Sequence, residues 1–170
     1  MWSVRLFAFA ASLSLTVCTE HTHDHPEPES GDPVVEGCKH MNFGEPIPVD
    51  TTTGDARIET VHARFDLTLG GRAGNHSGDV LYDSPGGRHY FLFDAPATFL
   101  VKTRQGVRPD SITVQPESCP SAALAIGYTL EPGEHRLDFF GVESASLAFV
   151  IHLVTDVHDH AQAQEDHDAP

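Results

Sequence analysis

His62-Ala63-Arg64-Phe65-Asp66-Leu67-Thr68-Leu69 alternates polar and apolar residues without a break. A period of two puts Ala63, Phe65, Leu67 and Leu69 on one face of a β-strand, and His62, Arg64, Asp66 and Thr68 on the opposite, polar face. Gly70-Gly71 then stops the run. Outward from this stretch, strand-like segments recur at 79–82, 88–93, 98–103, 111–115, 123–130, 135–140 and 146–154. The breaks between them carry turn residues, among them Ser84-Pro85-Gly86-Gly87, Arg104-Gln105-Gly106 and Glu131-Pro132-Gly133-Glu134. About eight short strands punctuated in this way predict an all-β domain, either an antiparallel β-sandwich or a small barrel. No segment reads as an amphipathic helix. The run from Leu147 to Val154 is apolar on both faces, as expected for a strand covered on both sides or lying at an interface.

Composition limits the partners. The chain has 170 residues, 10 Lys+Arg against 25 Asp+Glu, and a formal charge of -15. That length supports one modest core, and the negative charge argues against nucleic acid as a partner. The outlier is histidine, with 12 residues.

The first 17 residues place Arg5 ahead of an apolar run, the order of a secretory signal. Leu15-Thr16-Val17-Cys18, which follows, resembles the bacterial lipobox, whose cysteine receives diacylglycerol and becomes the first residue of a mature lipoprotein. Val17 stands where that pattern prefers Gly, Ala or Ser, so ordinary signal-peptidase cleavage nearby is the alternative. The resemblance implies lipidation at Cys18 and a bacterial envelope location, anchored to a membrane and facing the periplasm or the exterior. Residues 18–33 contain His21, His23 and His25 among Pro, Glu and Asp, and read as a disordered tether. The folded domain is expected over 34–157, followed at 158–170 by a second polar tail with His158, His160 and His167.

Export also frames the cysteines. With Cys18 set aside, Cys38 and Cys119 remain as an even pair in an oxidising compartment, which predicts a disulfide. The competing reading is thiolate ligation, because Cys38-Lys39-His40-Met41 packs several soft or borderline donors together.

Imidazoles two positions apart, with carboxylates beside them, suit zinc or copper. The expected ligands are therefore the tail residues His21, His23, His25, His158, His160 and His167. Within the domain His40, His89, His135 and His152 are weaker candidates: His89 and His135 share faces with apolar neighbours, and His40 is expected in a loop or at a strand end. None of the strand histidines forms a ligand motif by local spacing, so a structured site would have to be assembled across strands. The sequence contains no Gly-x-Ser-x-Gly elbow, no His-Glu-x-x-His motif and no phosphate-binding loop, so a hydrolase is the least supported class. The leading expectation is a noncatalytic exported protein that binds zinc or copper reversibly. The alternative is an envelope interaction module that binds a protein or a glycan.

Overall fold

A computed structural model describes residues 31–154. The signal segment, Cys18, the tether histidines and the C-terminal tail histidines lie outside the described residues. Within them, the chain opens with a helix, α1 (Pro33–Phe43), and continues through strands β1 (Pro46–Asp50), β2 (Arg57–Ile58), β3 (Ala63–Thr68), β4 (Gly70–Arg72), β5 (Asn75–Ser84), β6 (Gly87–Phe93), β7 (Thr98–Thr103), β8 (Ser111–Val114), β9 (Leu124–Leu130), β10 (Gly133–Val142) and β11 (Ser146–Val154). The first sheet has the order β1-β3-β11-β6-β9-β8. The second runs β2-β5-β10-β7, with β4 joined to β5.

The alternation in β3 does what its period requires. Phe65 and Leu67 point between the sheets, together with Phe91 and Phe93 of β6 and Phe149 and Ile151 of β11. They meet Val80 and Tyr82 of β5, Phe99 and Val101 of β7, and Leu137 and Phe139 of β10. Removing side chains of this size from water contributes about 1.5–3 kcal/mol each, which makes this layer the main source of stability.

The other face of the first sheet is also buried, and there the expected architecture needs correction. The fold is mixed rather than all-β, because α1 packs Val34, Cys38 and Met41 onto Tyr90, Leu92, Ala148 and Val150. The helix has ordinary local causes. Asp32 caps it by accepting the Val34 N–H at 2.9 Å, and Pro33 fills the first turn, where no donor is needed. Gly44 ends it, donating its N–H to the His40 carbonyl at 2.9 Å. Asp32 and Pro33, which composition assigns to the tether, are thus part of the helix start.

Two further corrections concern the sheets. They are not wholly antiparallel, since β1 runs parallel to β3 and β2 parallel to β5. Nor do they form a barrel: both remain open, with distinct edge strands. The short strands β1, β2 and β4 raise the count from about eight to eleven. A disulfide joins Cys38 of α1 to Cys119, with Cα atoms 5.5 Å apart and 81 positions between them in sequence. It fastens the helix to the connection between β8 and β9.

Candidate metal centre

Strand parity sets the first member of the site. In β11, Phe149 and Ile151 face the second sheet, so Val150 and His152 face α1. His152 is 3% exposed. It lies under the helix because Gly37 has no side chain: a Cβ at that position would come within 2.7 Å of Leu92 Cδ1 and 3.5 Å of His152 Cβ. Gly37 therefore brings helix and sheet close together, and His40, less than one turn further on, reaches the same spot. Arg64 holds the end of the helix down by donating to the Met41 carbonyl at 3.1 Å.

His62 supplies the third ring. The polar-face reading assigned it to solvent with Arg64 and Asp66, but that face is the one α1 covers. Its N–H donates to the Ile151 carbonyl at 2.7 Å, which fixes it beside the end of β11. Its backbone φ is 56°, the sole left-handed conformation of a non-glycine residue among the described residues. Such a conformation costs about 1–3 kcal/mol and persists only where the surrounding structure imposes it, commonly at functional sites.

The three imidazoles converge. Ring centroids are 4.8 Å apart for His62 and His152, 5.6 Å for His40 and His62, and 6.0 Å for His40 and His152. One ligand nitrogen from each lies within 4.8 Å of the others, and His62 Nδ1 is 3.2 Å from His152 Nδ1, close enough for one ring to donate to the other. Zinc–nitrogen bonds of about 2.0–2.1 Å at tetrahedral angles set ligand nitrogens about 3.3–3.4 Å apart. The His62–His152 pair is therefore spaced as one edge of a zinc tetrahedron, and a ring nitrogen of His40 lies within 4.8 Å of both. Adjacent ligands in a tetragonal copper site with bonds of about 2.0 Å would sit nearer 2.8 Å apart. His40 and His62 are half-buried, so the cluster is reachable from solvent.

Burial, together with the neighbouring His62 and His40 rings, pushes His152 down to about 4, while the Glu36 carboxylate acts in the opposite direction. At neutral pH this ring is uncharged, as a metal ligand must be. The donor set contains no thiolate, because Cys38 and Cys119 are spent on the disulfide. Met41, next to His40, is 2% exposed and packs in the apolar layer beneath α1. Three imidazoles without sulfur form a borderline set suited to zinc, copper or nickel.

Of the domain histidines singled out by sequence, the structure brings His40 and His152 together and leaves His89 and His135 elsewhere. His89 is fully buried, and both its nitrogens are engaged. Nδ1 donates to the Gly87 carbonyl at 3.0 Å, and Nε2 accepts from the Tyr82 hydroxyl at 2.8 Å. Burial pushes it down to about 4, so it is a neutral element of the core with no lone pair left for an ion. His135 donates from Nε2 to the Glu131 carbonyl at 2.9 Å and lines a cleft of about 450 Å³ with Arg88 and Tyr128, a cleft that contains none of the triad. His40 is helical rather than in a loop or at a strand end. His62 is the member that sequence reasoning missed; its position just before β3, on the face opposite Phe65, was the available signal. No protein-family model matches this chain, and no curated protein is similar to it at a significant level.

Proposed function

We propose that the protein is an exported bacterial envelope protein that reversibly holds a divalent transition metal, zinc first and copper second, at His40, His62 and His152. The observation that carries this reading is the convergence of three imidazoles from α1, β11 and the turn that leads into β3, with one nitrogen pair at 3.2 Å. Two further features support it. His62 keeps a costly backbone conformation to take part, and Gly37 leaves room for the helix to bring in His40. Three protein donors leave a fourth position open, the pattern of sites that exchange or act on a ligand rather than of closed structural sites. The basic-then-apolar start and the Cys18 motif support export and lipid attachment, which would place the site beside a membrane, facing the periplasm or exterior.

The test separates the domain from the tails. Full-length protein with His21, His23, His25, His158, His160 and His167 all changed to Ala is titrated with zinc in a calorimeter. One zinc per chain is expected, and it should be lost when His40→Ala and His62→Ala are added to the same background. Binding unchanged by those two substitutions, or absent once the tails are changed, overturns the proposal.

A further inference from the structure

The cleft at His135 gathers groups that the metal site leaves unused. Its volume is about 450 Å³, and it opens at the end of the sandwich where β7 and β9 finish and β8 and β10 begin. Clefts of this size, part apolar and with a few convergent polar groups, are typical of small-molecule sites. Its buried members, Tyr128 and His135, are 6% and 3% exposed and form the inner wall. At the mouth stand Val107 and Ile112, large apolar side chains that are 61% and 48% exposed. Ile112 lies across Gly127, where a Cβ would come within 2.9 Å of its Cγ1, so its side chain is laid along the sheet beside the cleft.

The polar groups around this wall are not matched to one another. Nε2 of His135 donates to the Glu131 carbonyl, so Nδ1 of the neutral ring carries the lone pair, and that buried nitrogen has no hydrogen-bond partner among the described residues. A buried acceptor of this kind calls for a donor. Arg88 forms no ion pair among the described residues; its guanidinium lies over the Tyr90 ring, 5.9 Å from the centroid. Asp110 and Glu131 are exposed and line the same cleft, yet neither pairs with Arg88 or with another cation among the described residues. One guanidinium and two carboxylates are thus held apart around an apolar wall.

We infer that this cleft binds a small zwitterion with an apolar body, an α-amino acid with a large apolar side chain. The ligand's carboxylate meets Arg88, its ammonium meets Asp110, Glu131 and the His135 acceptor, and its side chain covers Val107, Ile112 and Tyr128. An ammonium carries three N–H donors, enough for both kinds of acceptor. A simple anion would face two carboxylates with one guanidinium, and a simple cation would leave Arg88 unmet, so a ligand bearing both charges fits better than either. The site shares no residue with His40, His62 and His152, and stands or falls apart from the metal reading.

The test is an amide-shift titration of nitrogen-15-labelled, metal-free, full-length protein with L-phenylalanine, a chelator preventing the amino acid from binding through zinc. A molecule of this size should bind at about 1 mM or tighter, with shifts centred on Arg88, Ile112, Tyr128, Glu131 and His135. Phenylpropionate and phenethylamine keep the ring and one charge each, and should bind about three- to fivefold more weakly, the worth of an exposed ion pair. Arg88→Gln should weaken phenylalanine by a similar factor and leave phenethylamine unchanged, whereas Asp110→Asn/Glu131→Gln should weaken phenylalanine without weakening phenylpropionate. All three positions are exposed, so the amide spectrum away from the cleft should not change. Equal affinity for the three probes, phenylalanine binding unchanged in both variants, or no shift at the cleft at ten times the expected Kd overturns the inference.

Discussion

Replacing His62 separates what the residue does for the metal from what it costs the fold. In His62→Ala the left-handed backbone remains and the ring is lost; in His62→Gly both the ring and the steric penalty are removed. A non-glycine residue in this region pays about 1–2 kcal/mol, and glycine gives back roughly 0.5–1 kcal/mol in chain entropy. The glycine variant should therefore be more stable than the alanine variant by up to about 1 kcal/mol, measured by urea unfolding with a chelator present. Both lose the contact to His152 Nδ1 at 3.2 Å, so this contact cancels in the comparison. Zinc affinity should fall alike in the two. Structural zinc sites with four ligands bind with about 10–16 kcal/mol, so one ligand is worth about 3 kcal/mol, or roughly two orders of magnitude in Kd. Competition titration against a chelator of known affinity reads that loss. If His62→Ala binds zinc within threefold of the unaltered protein, His62 is not a ligand. If His62→Gly is the less stable of the pair, the backbone at this position is not strained.

Three other outcomes follow from the same geometry. Gly37→Ala places a methyl group 2.7 Å from Leu92 Cδ1, so either the fully buried Leu92 side chain or α1 must shift; where the helix moves, a cost of about 1–3 kcal/mol in urea unfolding and weaker zinc binding are expected, and an unchanged affinity would mean that Leu92 absorbs the clash and His40 stays in place. His89 is neutral in the folded protein down to about 4, whereas a free histidine takes up its proton near 6.5. Between those values the unfolded chain binds a proton that the folded chain refuses, so the contribution of His89 is level above the window and falls as pH drops through it, by about 3 kcal/mol at most, and His152, also held down to about 4, adds a second loss of the same sign. Urea midpoints of metal-free protein measured from pH 7.5 to 5 check this; a His89→Gln variant with the same slope would refute the assignment. Reducing Cys38–Cys119 frees a link that spans 81 positions and should cost about 2–4 kcal/mol. Because that link holds α1, zinc affinity should fall as well, which titration in a phosphine reductant would show.

The strands were legible because their signal is local. Each of β3, β6, β7, β9 and β11 carries its own alternation or apolar run between turn residues, and the observed bounds lie within a residue or two of those predicted. By contrast β1, β2 and β4 carry no such signal. β2 has two residues, β4 is Gly70-Gly71-Arg72, and β1 alternates prolines with Ile47 and Val49. Their pairing is imposed by neighbours rather than by their own pattern, and that includes the parallel joins to β3 and β5.

The missed helix and the missed ligand are one error. Val34, Cys38 and Met41 do stand at helical spacing behind Asp32 and Pro33, but Gly37 interrupts the apolar stripe and two adjacent valines lower the helix propensity, so the signal is faint. Without α1 the outward face of β3 belongs to solvent, and His62 is then an ordinary polar residue. With α1 in place, that same face is an interior surface. His62 and His152 meet on it beneath a helix that contributes His40, and the glycine that weakens the helical signal is the residue that lets the three rings converge. Parity along a strand tells which residues share a face, and only the layer packed on that face tells whether the shared side is solvent or a site.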